Sequence, residues 1–410
     1  MTDPWSQLEG SLDLRPATAE DAVAGVVPRW VARPRTTDEV AARMRVAHEH
    51  GFAVVARGAG TKQDWGLPPR ALDLVIDTTG LDEVVDYAPF DLVLRVGGGV
   101  TLDTIEALLA EHGQRLGIDP ARRGTIGGTV ATGVTGPIRL AHLAVRDLVI
   151  GMTFVRADGV VAKAGGKVVK NVAGYDLAKL FTGAYGTLGI ITEVGFRLHP
   201  RAEATRWIGA QVPLPQLGGV LGALAQEQVV PSAVEMDVPV DGRSSLAVQF
   251  DGTAAGLDGR VGRVRELLEA SATQIAEGDE PPFWWGTEPP GAALLKVTHV
   301  VGRATALAQA LREAADATGV RVASRGSALV GTAWVGVEAP DAPSFARFVE
   351  AARAATMQLE GTLTVVSAPP QWRDAVDVWG PVPGLELMRA VKAQFDPDAI
   401  LAPGRFVGGI

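Results

Sequence analysis

Along residues 37–50 the apolar positions recur with the spacing of one helix face. Val40, Ala41, Met44 and Ala47 fall together, Thr36 or Thr37 can cap the start, and Gly51 ends it. Residues 52–56, 72–76 and 92–96 are short apolar runs that predict strands. Val96-Gly97-Gly98-Gly99-Val100 predicts a turn, Thr101 caps a helix reaching His112, and Gly113 supplies its C′ position. Residues 148–155 and 160–164 read as the arms of a hairpin around Asp158-Gly159. A short helix is expected over 176–181, and a strand over 190–198 that ends at His199-Pro200.

The pattern changes after Pro200. Residues 207–226 carry no charge, but Pro213 and Pro215 interrupt them, which predicts strand, turn and helix rather than a membrane span. Strand–helix units follow: 245–250 with 257–270, 294–301 with 304–317, 330–337 with 344–357, then a strand over 363–366. This is the texture of a second, α+β domain. Its Pro-rich spacer, 278–290, holds Trp284-Trp285, for which burial in a core is the default reading. No internal repeat emerges. A final helix over 385–395 precedes the tail.

Composition narrows the chemistry. The 410 residues predict two or three domains. With no Cys there are no disulfides, thiolate metal sites, iron–sulfur ligands or cysteinyl cofactor links on this chain. The net charge of −9 and the lack of any basic run longer than Arg122-Arg123 argue against nucleic acid and polybasic membrane binding. The acidic N-terminus lacks the apolar core of a signal peptide, so a cytoplasmic location is expected. The histidines are scattered, without a His-Glu-x-x-His pattern, and no metal site is expected. Walker A, a full Rossmann fingerprint and the Gly-x-Ser-x-Gly elbow are all missing.

Three stretches hold the candidate chemistry. Arg57-Gly58-Ala59-Gly60-Thr61 follows a predicted strand; its backbone N–H groups, hydroxyl and guanidinium suit a phosphate. Residues 124–133, Gly-Thr-Ile-Gly-Gly-Thr-Val-Ala-Thr-Gly, have the small side chains needed to lie against a large flat cofactor. Together they favour a dinucleotide held between two subdomains. Residues 165–180 contain the chain's one Asn, Asn171, and, with Lys163, four of its seven Lys. A polar loop with Asn in a left-handed turn is the plain alternative to a functional segment.

On these residues the chain resembles flavoproteins with the vanillyl-alcohol-oxidase, PCMH-type, FAD-binding domain. The resemblance rests on an ordered set: Arg57–Thr61, 96–100, Asp119-Pro120, Gly124-Thr125-Ile126-Gly127-Gly128, Arg146-Asp147, Ala157-Asp158-Gly159, Lys170-Asn171-Val172-Ala173-Gly174-Tyr175-Asp176 and Gly186-Thr187-Leu188-Gly189. Within that family it resembles the glycolate oxidase group. Catalytic D-type chains carry an Asn-bearing metal segment in the cap; no Asn follows Asn171, so the chain looks like the shorter E-type FAD subunit.

The resemblance implies an α+β fold: an N-terminal extension (1–25), a two-subdomain FAD-binding domain (26–203, divided into 26–85 and 86–203), an α+β cap (204–380), and a C-terminal helix and tail (381–410) returning to the FAD domain. It implies FAD contacts from Arg57, Gly58, Ala59, Gly60 and Thr61 at the pyrophosphate. Thr125, Gly127, Gly128, Thr132 and Gly133 would lie along the ribityl chain and flavin, and Ile191 would add backbone contacts. The FAD is expected to be non-covalent, since 57–66 contain neither His nor Cys. Implied partners are an FAD-containing catalytic subunit and an iron–sulfur subunit, the substrate of the complex being a small 2-hydroxy acid. Membrane association would come only through those partners. Two alternatives stay open: a self-sufficient FAD-dependent dehydrogenase of another hydroxylated substrate, and a flavin-inactive assembly subunit. Leu143, where relatives usually have Gly, and Ala402, where they have Asn, are departures; no catalytic base is identified.

Overall fold

The computed structural model describes residues 14–166 and 175–410. Most of the Lys170–Asp176 motif, Asn171 included, therefore lies outside the described residues.

A mixed four-stranded sheet opens the fold, in the order Leu14–Pro16, Trp30–Ala32, Leu74–Asp77, Val54–Arg57. The helix Thr37–His50 forms as its pattern predicts: the Thr36 hydroxyl accepts from the Glu39 N–H, and Gly51 ends it at φ +66°. Its apolar face meets Val54, Leu74 and Ile76 of this sheet, and Val155 and Ile190 of the next.

That second sheet is antiparallel, in the order Val84–Ala88, Val93–Gly97, Ile190–Arg197, Val149–Val155, Val161–Gly165. The hairpin at Asp158-Gly159 is present, with Gly159 at φ +76°. Residues 124–133 are not a plain loop. They cap and form the helix Ile126–Thr132, closed by Gly133 at φ +62°. Ile126 and Val130 are fully buried in the core of this sheet, so tertiary packing overrides the weak helix propensity of Gly and Thr.

Gln114–Arg115 and His199–Pro200 pair as a short antiparallel ribbon, and the other strands form one eight-stranded antiparallel sheet. Its two halves repeat the same strand–helix–strand–strand–helix–strand order. The first runs through Ala204–Gln211, Leu214–Gln226, Ala233–Val238, Ser245–Gly252, Ala254–Glu269 and Gln274–Gly278. The second runs through Ala293–Thr298, Ala304–Thr318, Arg321–Ser327, Thr332–Glu338, Ala342–Gln358 and Thr362–Ser367. The second strands of the two units pair with each other, placing Glu235 opposite Ser327 and Asp237 opposite Arg325. The internal repeat is thus structural, although the sequence does not display it. The strands Ala233–Val238, Arg321–Ser327 and Gln274–Gly278 escaped prediction because each carries charges where an apolar run would mark it.

Alternation along these strands sorts the faces. Val248, Phe250, Leu295, Val335 and Val337 pack into the cores that include the helices, and Glu235, Asp237, Gln249, Lys296, Arg325 and Trp334 stand on the other face. Trp65 and Trp334, 5.7 Å apart, pack with Val134 and Val366 between the sheets.

The tail returns to the first sheet. Val54 N–H donates to Ile400 O, Ala402 N–H donates to Val54 O, and Leu401 bridges Val54 in parallel. The helix Leu385–Phe395 sets Phe395 against Phe181, 5.5 Å between ring centroids.

Candidate functional site

The two glycine-rich stretches, far apart in sequence, meet in space at Gly58 and Thr125. A Cβ on Gly58 would lie 1.9 Å from the Thr125 Oγ1, and one on Gly124 would lie 2.7 Å from the Thr61 Oγ1. Gly127 sits equally close to the Gly98 carbonyl oxygen, 2.8 Å from where a Cβ would be. Between these stretches opens a cleft with about 100 Å³ of free volume.

Gly58, Ala59, Gly60 and Thr61 line one side; Thr125, Gly127, Gly128 and Thr132 line the other; Ile191 lies at its wall. Two expected residues do not line it. Arg57 ends its strand with its guanidinium on Asp21 at 3.1 Å and Asp77 at 3.7 Å, so it braces the sheet instead of facing a phosphate. Asp21, whose carboxyl is held well below the usual range by hydrogen bonds from Arg15, is the partner that turns it away. Gly133 serves as the helix C-cap, packed on Gly183.

Sequence reasoning missed Lys62, Tyr185 and Arg405 in the lining. Lys62 stands next to the recognised loop and replaces Arg57 as the cation of the cleft. Burial, with Arg122 adding to it, lowers its pKa to about 8. Arg405, brought in by the tail, is 4% exposed and donates to the carbonyls of Gln63 and Trp65. Burial lowers its pKa to about 10, which leaves it cationic. Arg122 ties the loop to the larger sheet through Asp64 and Glu288.

The cleft has the features an FAD requires. The Thr125 hydroxyl is buried and has no hydrogen-bond partner, an omission that costs free energy unless a ligand supplies one. The walls are bare backbone and hydroxyls on both sides, with Lys62 and Arg405 giving positive charge.

The comparisons with known proteins agree. Residues 28–165 match the family model described as "FAD binding domain". Along 92% of its length the chain is 27% identical to glycolate oxidase subunit GlcD of Bacillus subtilis, covering 89% of that protein. It is 34% identical to glycolate oxidase subunit GlcE of Escherichia coli over 222 residues, 52% of this chain and 59% of that one. A D-lactate dehydrogenase of Archaeoglobus fulgidus is 31% identical over half of the chain. Residues 28–165 form an FAD-binding domain, and the relatives of the chain are oxidases and dehydrogenases. The fold is shared across greater distance: alkyldihydroxyacetonephosphate synthase superposes on 93% of this flavoprotein at a TM-score of 0.70 and 15% identity, covering 78% of that chain.

Elsewhere in the flavoprotein, His142 and His199 come together with centroids 4.6 Å apart. Burial lowers both pKa values, His142 to about 4. Among the described residues no three His, Asp or Glu gather as a metal site, and no helix is long and apolar enough to cross a membrane. Trp284 is buried, with the Arg325 guanidinium 5.8 Å from its ring.

Proposed function

We propose that this flavoprotein holds FAD non-covalently in the cleft between 58–61 and 125–132 and serves as the E-type FAD subunit of a glycolate oxidase complex. The observation that carries the cofactor assignment is the buried, unpartnered Thr125 hydroxyl in a cleft whose two walls are glycine-rich backbone. Gly58, Ala59, Gly60 and Thr61 would present N–H groups to the pyrophosphate, with Lys62 supplying charge. Thr125, Gly127, Gly128 and Thr132 would lie along the rest of the cofactor, and Ile191 would offer backbone. When bound, FAD supplies hydride acceptance; the protein binds and orients.

The E-type role is supported by the 34% identity to that subunit and by the lack of any Asn after Asn171. It implies a catalytic FAD subunit and an iron–sulfur subunit as partners, and any membrane association through them. The domains proposed for it are 1–25, 26–203, 204–380 and 381–410. A second reading, a self-sufficient dehydrogenase, is favoured by the match to the D subunit along 92% of the chain.

The purified chain should carry flavin absorbance, released on denaturation as free FAD. Gly128→Trp fills the cleft and should abolish FAD retention while circular dichroism stays native; stoichiometric FAD in that variant would overturn the assignment. Bleaching by glycolate without partners would favour the second reading. Co-purification with a catalytic and an iron–sulfur chain would favour the first.

A further inference from the structure

Among the residues lining the FAD cleft, Tyr185 alone carries a side chain at positive φ, +55°. An aromatic residue rarely adopts this backbone conformation, which persists only where the surroundings impose it. Three separate stretches do so here. The Tyr185 N–H donates to the Ala131 carbonyl at 2.9 Å. The ring stacks on Phe406 of the tail, 5.2 Å between centroids, and meets Trp379 edge-on at 5.4 Å. Phe406 and Trp379 also touch each other at 5.1 Å, so the phenol is held from two sides.

The protein makes no use of the hydroxyl so held. Among the described residues no group hydrogen-bonds to it. Burial raises its pKa, with Arg405 opposing and Asp64 adding to the rise, so at neutral pH it is an O–H donor and not a base. Packing alone asks for neither feature. A glycine would relieve the backbone, and a phenylalanine would fill the same space.

Its place in the cleft narrows what it meets. Ala131 lies in the last turn of the helix Ile126–Thr132, about 9 Å along the axis from Thr125. A diphosphate held where Gly58 meets Thr125 therefore leaves Tyr185 to a ring end of the cofactor. That end adjoins the seam with the eight-stranded sheet: Gly66 N–H donates to Val366 O, and Tyr185 packs with Trp65, Val134 and Val366. The ring that reacts must be reachable from such a seam, and in FAD that ring is the flavin.

We propose that Tyr185 contacts the flavin ring of bound FAD and donates its hydroxyl to it, raising the reduction potential of the cofactor. The proposal rests on the cofactor reading above and adds to it a residue that tunes the site. Two-electron-reduced FAD carries negative charge on its ring, and a hydrogen bond to a charged acceptor is the stronger one. The donor thus favours the reduced form over the oxidised form. Arg405, cationic and buried beside the cleft, acts in the same direction.

The test uses the full chain loaded with FAD. A phenol touching an excited flavin passes it an electron that returns at once, so emission is lost with no net reaction. Wild-type bound FAD should be nearly non-fluorescent. Tyr185→Phe keeps the packing on Phe406 and Trp379 and should restore emission severalfold, while Trp379→Phe should leave it quenched. Tyr185→Phe should retain FAD, weakened about threefold in the oxidised form by the lost hydrogen bond. The loss should fall about tenfold more heavily on the reduced form, a potential lower by about 30 mV in spectroelectrochemical titration. Tyr185→Gly relieves the backbone, so it should raise the unfolding midpoint and show the same loss of quenching and potential. A chain that holds FAD with the same emission and potential in wild type and Tyr185→Phe overturns the assignment of Tyr185 and leaves the cofactor reading standing. A wild-type chain that takes up no FAD overturns both.

Discussion

Leu143 and Ala402 are two of the eight non-glycine residues with positive φ among the described residues. Leu143 has φ +71° and ψ −171°, a region open almost only to glycine, and Ala402 has φ +45°. The family resemblance marks these same positions as departures, Gly and Asn being usual; the fold has kept the backbone and changed the side chain. Leu143 is half exposed, so replacing it forfeits little burial. Leu143→Gly should therefore raise stability by about 1 kcal/mol, and Ala402→Asn by about 0.5 kcal/mol, both read as the midpoint of urea unfolding. Ala402 is buried beside the first sheet, so its smaller gain allows for fitting the Asn amide. An unchanged or lowered midpoint for Leu143→Gly would show that the strain is relieved by the surroundings.

The helix Leu385–Phe395 shows how an element is fixed by one buried cation. Lys392 Nζ donates to Asp396 Oδ2 at 2.5 Å, to the Thr187 carbonyl at 2.8 Å and to the Leu401 carbonyl at 2.9 Å. Asp396 in turn accepts from the Ile400 and Leu401 N–H groups. The helix, the tail and the 184–189 turn are thus joined in a single polar knot. Both side chains are almost fully desolvated, so removing one partner leaves the other charge buried and alone. Lys392→Ala should cost about 3–5 kcal/mol and, by loosening 400–405, weaken FAD retention through Arg405. Loss of stability with FAD affinity intact would show that the tail holds its place without the knot. The same scale sets the placement of Arg57. Arg57 looked like a phosphate ligand because it precedes Gly58, but the strand that ends with it delivers the guanidinium to Asp21, 36 positions earlier.

Across the whole molecule, the seam between the FAD-binding part and the eight-stranded sheet concentrates buried acids. Burial raises Asp119 to about 7 and Glu235 to about 8. Both pKa values lie above those of an unfolded chain, so the native state binds more protons and this contribution to stability is fully present only below about pH 4. It is lost as pH rises through 7 to 8, at up to about 1.4 kcal/mol per pH unit for each group. Stability between pH 5 and 8 should therefore fall with pH, and Glu235→Gln should flatten that slope. A wild-type slope that Glu235→Gln leaves unchanged would mean that this carboxyl is ionised in the fold.

Local pattern determined much of this protein. The helix Thr37–His50 with its caps, the hairpin at Asp158-Gly159, the α+β texture after Pro200 and the glycine stretches at 58–61 and 125–133 are legible because each depends on neighbours a few residues away. The lack of Cys and the solitary Asn171 set chemical limits that no fold could alter. Tertiary structure decided the rest. It brought Gly58 onto Thr125, turned Arg57 away, supplied Lys62 and Arg405 to the cleft, revealed the repeat in the eight-stranded sheet, and set Arg139 and Glu235 around one cavity. Those outcomes depend on long-range packing and desolvation, which fix where a side chain points and what charge it carries, and neither is written in residue order.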